Sequence, residues 1–492
     1  MKIHFIGIGG IGVSALAQYY LAKGHKISGS DLASSEIIEF LKKKGVKIFV
    51  GKHKAKDLSR DTDLVIYSPA VKSNNPELKK AKKLQATNYK LKILSYPEAL
   101  GELTKQYFTI AVSGTHGKST TTAMISLILI NAGLDPTVII GTKVKEFGDN
   151  NFRMGGFAKF EILNLKFEIL IIEACEHFAS FLNYWPKIIV LTNIEKEHLD
   201  YYKNLNNVLK AYKKYIGHLP KNGTLVANQD DKNIQKIICN QFSIFNCDPT
   251  GSRQGRQQFS QLKDVKKLKK ILQVPGEHNV ANALAALTAA RALKISDKIS
   301  FQALSEYKGA WRRFEVSRAE LCGTKRRITR KITIISDYAH HPTEIRATLK
   351  TAYEKYFFPV KSLKKRITSP QFNKTQKEIW CIFQPHQYQR TFYLFKDFVE
   401  VFKEALEKTY IQKLIITDIF DVAGREQKGL KRKMNAKKLV KAINNPATIY
   451  LPKKNILNFL KKNLKGKEIV IFMGAGDIYK FTPRTLRSSF LR

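Results

Sequence analysis

Short apolar runs alternate with helical segments from the start of the chain. In the first hundred residues the pattern predicts strands at Lys2 to Ile8, Lys26 to Ser28 and Leu64 to Tyr67, and helices at Ile11 to Ala22 and Ser35 to Lys44. A short apolar run suits a strand, whereas a longer segment with a helical period suits a helix. Strands that alternate with helices indicate a parallel sheet of the α/β class.

The same alternation begins again twice farther along the chain. One segment opens with an apolar run at Phe108 to Val112 and includes strands at Glu168 to Ile172 and Ile188 to Leu191, before an alanine-rich helix at Val280 to Ala292. Another segment begins after Arg313. Its predicted strands are Ile332 to Ile335, Ile379 to Phe383, Lys413 to Thr417 and Glu468 to Phe472. We therefore expect three α/β domains, at residues 1–106, 107–313 and 314–492.

Two polar segments interrupt this pattern. Thr250 to Leu272 is rich in Gln and Lys, which predicts an excursion over the surface. Lys361 to Lys377 is basic and contains Pro370, which predicts a solvated, mobile loop rather than a binding arm.

Composition indicates a large protein that attracts anions. The chain has 492 residues, of which 43% are hydrophobic, enough for the cores of about three domains. There are 85 Lys and Arg against 41 Asp and Glu, a net charge of +44, and the lysines are spread over the whole chain. Since no nucleic-acid-binding motif accompanies this charge, we expect phosphorylated ligands and no specific nucleic acid.

Cysteine usage and hydropathy predict a cytoplasmic protein. The five cysteines are widely spaced and form no CxxC pair, which favours a reducing compartment over a disulfide framework or a zinc site. No apolar run reaches the length of about eighteen residues that a membrane span needs, and glycines break the apolar N-terminus. We expect no membrane insertion.

A glycine-containing loop follows the apolar run at Phe108. Residues 111–121 read AVSGTHGKSTT and precede a second apolar stretch, which predicts a strand, a loop and a helix in that order. Such a loop cradles phosphate with its N–H groups, its lysine reaches the terminal phosphates, and Ser119 or Thr120 offers a hydroxyl to Mg²⁺. Only two residues separate Gly114 from Gly117, so this is a shortened P-loop. The predicted nucleotide-binding residues are Gly114, Thr115, His116, Gly117, Lys118, Ser119 and Thr120.

A second glycine-rich turn lies at the start of the chain. Gly7, Gly9, Gly10 and Gly12 lie between a predicted strand and a predicted helix, and Asp31 follows nineteen residues after Gly12. This fingerprint binds a diphosphate at the helix N-terminus and a ribose hydroxyl through the acid. An NAD-dependent oxidoreductase would use it, and so would a protein that binds a UDP-sugar. The turn indicates a diphosphate and leaves both classes open.

Acidic and histidine side chains follow two strands of the second domain. Glu173 ends a strand, where a Mg²⁺ ligand belongs in a P-loop protein, and is favoured over Glu176, which is interpreted as a surface residue. The next strand leads into TNIEKEHLD, which puts His198 at the same edge of the sheet. A structural role and a metal-binding role suit this histidine equally.

Polar residues also open the alanine-rich helix. His278, Asn279 and Asn282 follow Gly276 directly. They could cap the helix, or they could present polar groups to an adenine ring. The sequence leaves both roles open.

Strand ends of the third domain carry polar and basic groups. Arg312 and Arg313 precede the first strand, DYAHHPTE follows it, and QPHQYQR follows the next. The glycine turn GAGDI comes after the final strand. We expect this edge of the sheet to meet an anionic substrate.

These motifs, in this order, resemble those of the Mur ligases of peptidoglycan synthesis. HFIGIGGIGVSALA, GTHGKST, TNIEKEHLD, GEHNVANALAA, GAWRRFE, DYAHHPTEI, FQPHQYQRT and GAGDI each look like a family signature, and together they span nearly the whole chain. The resemblance implies a Rossmann-like N-terminal domain that binds UDP, a central P-loop ATPase-like domain with a parallel sheet, and a Rossmann-like C-terminal α/β domain.

The resemblance also implies an activity. Family members use ATP and Mg²⁺ to phosphorylate a carboxylate, and an amine then attacks the acyl phosphate to form an amide. The motifs are most similar to those of the alanine-adding branch, so the implied substrates are UDP-N-acetylmuramate and L-alanine. A monomer or weak dimer is expected.

The resemblance assigns roles to individual residues. Lys118 would stabilise the γ-phosphate, Ser119 and Glu173 would hold one Mg²⁺, and His198 would help to hold a second. The predicted catalytic residues are Lys118, Glu173, His198, His278, Arg313 and His341. The predicted contacts to the nucleotide outside the loop are Asn279, Asn282, Arg313 and Asp337. The predicted substrate-binding residues are Gly7, Gly9, Gly10, Gly12, Asp31, Ser68, Tyr338, His340, His386 and Arg390.

Some features leave other interpretations open. Gln387 stands where the family usually has arginine, which puts one cationic contact in doubt. A recycling ligase that joins a ready-made tripeptide to the same UDP-sugar shares most of these motifs. An NAD-dependent oxidoreductase would explain the turn at Gly7 but would leave the loop at Lys118 without a role. A nucleic-acid binder would depend on the net charge alone.

Overall fold

Three sheets form the framework of the protein. The structure, a computed structural model, describes residues 1–87, 90–160, 165–238, 243–246, 256–322, 329–358, 377–421 and 429–482. Within these residues the sheets contain five, eight and six strands. The predicted α/β class and the three sheet-containing domains are thereby confirmed. Cys239, Cys247 and residues 361–376 of the predicted basic loop lie outside the described residues.

The chain divides into two compact units. One comprises Met1–Gln273 and Asn279–Trp311, and it contains the first two sheets. The other comprises Val274–His278 and Arg312–Arg492, and it contains the third sheet. In the part of the chain that the structure describes, no helix combines the length and the hydropathy needed to cross a membrane.

The first domain is a parallel sheet between helices. Its elements are β1 (Lys2–Ile6), α1 (Ile11–Ala22), β2 (Lys26–Asp31), α2 (Glu36–Lys43), β3 (Lys47–Val50), β4 (Leu64–Tyr67), α3 (Pro76–Thr87), β5 (Lys92–Ser95) and α4 (Tyr96–Gln106). The strand order is β3-β2-β1-β4-β5. Because the order reverses between β1 and β4, the carboxyl ends of these strands form the crevice where α/β proteins bind ligands.

The second domain is a mixed sheet built around β6. Its elements are β6 (Phe108–Ser113), α5 (Lys118–Asn131), β7 (Thr137–Val144), β8 (Asn150–Arg153), β9 (Phe157–Phe160), β10 (Leu165–Glu173), β11 (Ile188–Leu191), α6 (Leu199–Tyr202), α7 (Leu205–Ile216), β12 (Thr224–Ala227), α8 (Lys232–Gln235), β13 (Ser243–Asn246), α9 (Arg256–Ile271), α10 (Glu277–Ala292) and α11 (Asp297–Glu306). The order is β13-β12-β11-β6-β10-β7-β8, with β9 paired to β10. Among the described strands of this sheet, only β8 and β9 run antiparallel to their neighbours. The glycine loop thus follows the central strand, and β10 and β11 flank it.

The polar segment before α10 differs from the prediction. Residues 256–271 of the predicted surface excursion form helix α9, which packs against α11. Val265 and Leu268, three residues apart, are buried. Apolar residues at this spacing lie on one face of a helix, so a few of them suffice to anchor a helix that is otherwise polar.

The third domain is a parallel sheet with one antiparallel edge strand. Its elements are β14 (Glu315–Cys322), β15 (Thr329–Asp337), α12 (Pro342–Phe357), β16 (Ile379–Phe383), α13 (Tyr388–Tyr393), α14 (Phe395–Glu407), β17 (Lys413–Ile416), α15 (Leu430–Lys433), α16 (Ala436–Ile443), β18 (Thr448–Tyr450), α17 (Ile456–Asn463) and β19 (Ile469–Met473). The order is β14-β15-β19-β16-β17-β18, in which β14 is antiparallel to β15. In β19, Ile469 and Ile471 face one hydrophobic cluster while Val470 and Phe472 face the other. Both faces of the sheet are therefore covered, as parallel sheets require.

Candidate active site

The end of β11 holds the glycine loop between β6 and α5 in shape. The N–H of Thr115 donates to the backbone oxygen of Asn193 at 2.9 Å, and the N–H of His116 donates to Asn193 Oδ1 at 2.9 Å. Thr192 Oγ1 donates to the backbone oxygen of His116 at 2.6 Å. The loop is thus fixed by its neighbour in the sheet before any ligand contributes.

Two positions of this loop require glycine. Gly114 and Gly117 have φ values of 131° and 84°, which side chains rarely adopt. A Cβ at Gly114 would overlap with Thr192 Oγ1, and a Cβ at Gly117 would overlap with Asn282 Oδ1. The loop backbone therefore lies in close contact with Thr192 and Asn282. A backbone without side chains at these positions suits a loop that binds phosphate through its N–H groups.

Lys118 begins α5 and turns its amine back over the loop. Nζ donates to the backbone oxygens of Gly114 and Thr115 at 2.6 and 3.1 Å, and to Glu176 Oε2 at 2.9 Å. Burial disfavours the ammonium, but the negative charges of Glu176 and Glu173 outweigh this and raise the pKa of Lys118. The side chain is a fixed cation at the place where such a loop meets the terminal phosphate of a nucleotide.

Glu173 ends β10 beside the first turn of α5. Ser119 Oγ donates to Glu173 Oε1 at 3.1 Å, and the N–H of Gly141 donates to Oε2 at 2.9 Å. Ser119 is therefore the loop hydroxyl that meets this carboxylate. Together they offer the hard oxygen donors that Mg²⁺ prefers, so the residues fit the ion that the family resemblance implies.

Glu176 is the residue of this site that the sequence analysis missed. Its interpretation as a surface residue is wrong, because the residue is only 2% exposed. Its carboxylate accepts from Lys118, and His198 Nε2 lies 3.8 Å from Oε1. One sequence signal points to this role. Glu176 is a second acid three residues beyond Glu173, in a chain that also has a phosphate-loop lysine.

His198 belongs to a small group of possible metal ligands. Its ring stacks on that of His177 with centroids 4.0 Å apart. His177, His198 and Asp200 each place a ligand atom within 4.8 Å of the others. The backbone of His198 is left-handed, with φ 52°, as is that of Phe178, with φ 53°. Such conformations are uncommon outside glycine and cluster at functional sites.

Asn279 and Asn282 lie inside α10 and do not cap it, since the helix begins at Glu277. Asn282 Oδ1 accepts from Thr121 Oγ1 of α5 at 3.3 Å, and Asn282 Nδ2 donates to Asn279 Oδ1 at 3.4 Å. Both asparagines are 7% exposed. Asn282 thus ties α10 to the helix that follows the glycine loop.

The glycine turn of the first domain is packed closely at the crevice between β1 and β4. The N–H of Gly7, whose φ is 80°, donates to the backbone oxygen of Ser30 at 2.8 Å. A Cβ at Gly7 would lie 2.9 Å from the Cβ of Ser68, the residue that follows β4. Gly10 is the residue before α1, so the turn leads directly into a helix N-terminus.

Asp31 and Gly12 complete this turn. Asp31 Oδ2 accepts from the N–H of Gly9 at 2.8 Å. A Cβ at Gly12 would lie 2.7 Å from the hydroxyl oxygen of Tyr96, so the position has no room for a side chain. The predicted substrate-binding residues of the first domain therefore lie together, and Asp31 shapes the turn whether or not it also meets a ribose.

Charged and aromatic side chains meet at the edge of the third sheet. The guanidinium carbon of Arg313 lies 4.9 Å from the ring centroid of Tyr338, and Arg313 Nη1 lies 4.0 Å from Glu344 Oε1. His340 Nδ1 lies 3.1 Å from Glu344 Oε2, and its ring centroid is 6.0 Å from that of His386. The structure brings these predicted residues together within the domain.

Two more predicted residues extend this edge. Arg390 Nη1 lies 2.9 Å from His386 Nδ1, at the start of α13. His341 is buried and caps α12, where its Nδ1 accepts from the N–H of Thr343 at 3.3 Å. Gln387 precedes α13 with a left-handed φ of 68° and is 7% exposed.

Asp337 organises the start of the third domain. Its Oδ2 accepts from the N–H of Phe314 at 2.7 Å, and its Oδ1 accepts from the N–H of Ala339 at 2.8 Å and from Thr348 Oγ1 at 3.2 Å. Burial raises the pKa of this carboxyl even though these hydrogen bonds oppose it. Its contact with a nucleotide stays a prediction.

Arg312 is a buried cation that the sequence analysis did not assign. Its Nη2 donates to the backbone oxygens of Gly474 and Gly476. Its guanidinium carbon lies 4.7 Å from the ring centroid of Tyr338 and 4.4 Å from that of Tyr479. Burial lowers the pKa of Arg312 to about 10. The residue holds the GAGDI turn in place.

His278 is uncharged at neutral pH. Burial lowers its pKa to about 4, although the charge of Glu344 opposes the shift. Gly276, with φ 102°, leaves room for the ring, because a Cβ there would lie 2.6 Å from His278 Cε1. A neutral imidazole can accept or donate a hydrogen bond without adding charge.

The protein has glycine turns at two sheet crevices. At one of them Lys118 lies among carboxylates and the Ser119 hydroxyl donates to Glu173. These features define a nucleotide-dependent α/β enzyme with a P-loop. Residues 2–108 match the Mur ligase family, catalytic domain, and residues 112–290 match the Mur ligase middle domain. The chain belongs to the Mur ligase family, whose members are ATP-dependent, amide-forming ligases.

Individual relatives match over nearly the whole chain. UDP-N-acetylmuramate--L-alanine ligase of Acetivibrio thermocellus is 39% identical, over 97% of this chain and 94% of its own. The enzyme of the same name from Clostridium tetani is 38% identical, over 97% and 96%. The crystal structure of UDP-N-acetylmuramate-alanine ligase MurC from Thermotoga maritima superposes with a TM-score of 0.71 at 25% identity, covering 99% of this chain and 98% of that one. A murein peptide ligase from Psychrobacter arcticus, at 22% identity and a TM-score of 0.65, shares the fold over 99% and 98% of the two chains.

Proposed function

We propose that this protein joins L-alanine to UDP-N-acetylmuramate, with ATP hydrolysed to ADP and phosphate. The observation that carries the proposal is the arrangement of Lys118 and Ser119 at a phosphate loop beside Glu173, in a chain similar from end to end to ligases of that name. The glycine turn of the first domain supplies a separate place for the diphosphate of the UDP-sugar.

The glycine loop holds the triphosphate of ATP. Its N–H groups and the N-terminus of α5 face the phosphates, and the ammonium of Lys118 offsets charge on the γ-phosphate. Ser119 and Glu173 would hold Mg²⁺, and His198 would contribute to a second ion site. When bound, Mg²⁺ would supply positive charge that makes the γ-phosphorus a better electrophile and makes phosphate a better leaving group from the acyl phosphate.

Activation of the carboxylate explains why two phosphate-binding turns are needed. The muramic acid carboxylate attacks the γ-phosphorus, which forms an acyl phosphate and releases ADP. The amine of L-alanine then attacks the acyl carbon, and the tetrahedral intermediate collapses to an amide as phosphate leaves. A free carboxylate would not react in this way, because its oxygen is a poor leaving group.

The third domain binds the amino acid. His386 and Arg390 at its sheet edge present hydrogen-bonding and cationic groups that suit the carboxylate of alanine, while Arg313 contacts the nucleotide. Neutral His278 hydrogen-bonds the acyl phosphate without adding charge, and Asn279 and Asn282 hold the adenosine. ATP and UDP-sugars are intracellular metabolites, so we place the reaction in the cytoplasm.

A product assay with alternative amine donors tests the proposal. The purified protein is incubated with ATP, Mg²⁺ and UDP-N-acetylmuramate, together with L-alanine, glycine, L-serine or the cell-wall tripeptide. We expect phosphate release and a new product mass with L-alanine, and none when the UDP-sugar is omitted. Turnover with the tripeptide alone would reassign the protein to peptide recycling.

A further inference from the structure

Two histidines and a glutamate form a buried cluster behind the glycine turn of the first domain. His4 of β1 and Glu77 of α3 are fully buried, and the side chain of His53 is 11% exposed. Glu77 Oε2 lies 2.6 Å from His4 Nε2, and Glu77 Oε1 lies 2.6 Å from His53 Nδ1. Ser30 Oγ of β2 donates to the same Oε1 at 2.8 Å. An interior carboxylate persists only where such donors replace its lost hydration.

The cluster keeps Glu77 ionised. Burial alone would raise the pKa of this carboxyl, but hydrogen bonds from His4 and Ser30, the charge of His4 and a hydrogen bond from His53 together lower it. The second nitrogen of His4 is also fixed, because Nδ1 lies 2.9 Å from Ser28 Oγ. Glu77 is therefore an anion with both oxygens committed to neighbours from β1, β2 and the segment after β3.

Ser30 connects this cluster to the turn. While its hydroxyl donates to Glu77, its backbone oxygen accepts the N–H groups of Gly7 at 2.8 Å and Ile8 at 3.1 Å. The next residue, Asp31, accepts the N–H of Gly9. The end of β2 thus sets the path of the turn, and Glu77 sets the end of β2.

We propose that Glu77, clamped between His4 and His53, is a positioning residue for UDP-sugar binding. It acts through Ser30, which holds the turn in the conformation that presents its remaining N–H groups to the diphosphate. The inference rests on the proposed function, in which this turn binds UDP. Donors held in place before binding lose little freedom when the ligand arrives, so the clamp contributes to affinity without touching the ligand.

The substitution Glu77→Gln tests the clamp. The amide keeps the shape of the side chain but replaces one acceptor oxygen with a donor, so at least one neighbour then faces a donor instead of an acceptor. We expect the Kd for UDP and the KM for UDP-N-acetylmuramate to rise about tenfold. The KM for ATP and kcat should stay within about twofold, because the glycine loop at Lys118 is untouched. Glu39→Gln is the matched control, since Glu39 lies on α2 of the same domain and its side chain is 55% exposed.

The outcomes separate positioning from a merely structural role. Unchanged UDP binding in a folded Glu77→Gln protein would overturn the inference, and so would a fall in kcat with every KM unchanged. If Glu77→Gln does not fold, Ser30→Ala removes only the connecting hydroxyl and should still raise the Kd for UDP several-fold; an unchanged Kd there also overturns the inference. A wild-type protein that binds no UDP would refute the proposed function itself.

Discussion

Several charged side chains of this protein are held by partners that the fold removes from water. Lys118 is held by Glu176, and the carboxylate of Glu77 is held by His4 and His53. Breaking such a pair leaves an uncompensated buried charge, which is more damaging than losing a surface ion pair. Substitutions at these positions should therefore have large and local effects.

Lys118→Ala removes the cation that faces the terminal phosphate. We expect turnover to fall by a factor on the order of 10³, since a preorganised charge at a transferring phosphoryl group contributes several kcal/mol. UDP binding by calorimetry should be retained, because the first-domain turn is separate. Lys214→Ala, on the exposed side of α7, is the control and should behave as wild type. Appreciable turnover by Lys118→Ala would contradict the role given to this lysine.

His278 makes stability depend on pH in a defined direction. Its pKa is about 4 when folded and 6.5 when unfolded, so between these values the unfolded chain binds a proton that the folded chain does not. Stability is therefore fully present above pH 6.5 and falls as the pH decreases towards 4. Urea denaturation at pH 7.5 and 5.0 should show that wild type loses about 2 kcal/mol more than His278→Asn.

The interval from pH 7.5 to 8.5 is the internal control for that measurement. Both states carry a neutral imidazole there, so the wild type and His278→Asn should change in parallel. Equal losses of stability for the two proteins between pH 7.5 and 5.0 would mean that His278 is not held neutral.

At the scale of helices and strands, glycines in the connecting loops allow the chain to turn so that the site residues lie together. Gly117 precedes α5 with φ 84° and has no room for a side chain beside Asn282. Gly133 follows the same helix with a similar φ of 75°, but nothing lies within 4 Å of a Cβ there. The two positions share the backbone conformation and differ in the space around it.

This contrast allows a paired test of the loop. Gly133→Ala should lower the free energy of unfolding by about 1 kcal/mol, the strain of a left-handed residue, and leave kinetics unchanged. Gly117→Ala should also displace the loop or Asn282 and raise the KM for ATP at least about tenfold. Steady-state kinetics at varied ATP check the difference, and equal KM values for the two variants would show that the overlap is absorbed without effect.

Local sequence patterns predict most of the helices and strands, but they do not predict which strands pair or which helices pack together. Helix α1 and strands β4, β11 and β16 have the predicted bounds, because apolar periodicity and flanking glycines are local signals. Helix α9 was missed, since only a few apolar residues such as Val265 and Leu268 anchor it. The antiparallel strands β8 and β9 depend on pairing across the sheet, which a local pattern does not contain.

The same limit explains which site residues the sequence identified. Lys118 and Glu173 stand in motifs whose spacing places Lys118 at the start of a helix and Glu173 at the end of a strand. The role of Arg312 depends on burial and on partners distant in the sequence, so no local pattern distinguishes it from a surface charge. Glu176 has one local signal, its place three residues after Glu173, but its partner Lys118 lies far away in the sequence. Their contacts emerge only when the strands are assembled.

At the scale of the whole molecule, the net charge of +44 predicts weak, unspecific binding of polyanions. Fluorescence anisotropy with two DNA duplexes of unrelated sequence should give equal affinities, and both should decrease steeply between about 50 and 200 mM salt. A preference for one sequence that persists at high salt would instead indicate a nucleic-acid site.

The contact between Lys118 and Glu176 has a consequence for which solutes can occupy the loop. The ammonium of Lys118 already has an anionic partner inside the protein. Chloride, sulfate or free phosphate would therefore have to displace the Glu176 carboxylate from it. A metal-complexed triphosphate makes many simultaneous contacts with the loop, so it can displace the carboxylate where a small ion cannot. The loop is thereby shielded from the abundant simple anions of its surroundings, and sulfate should compete only weakly with ATP.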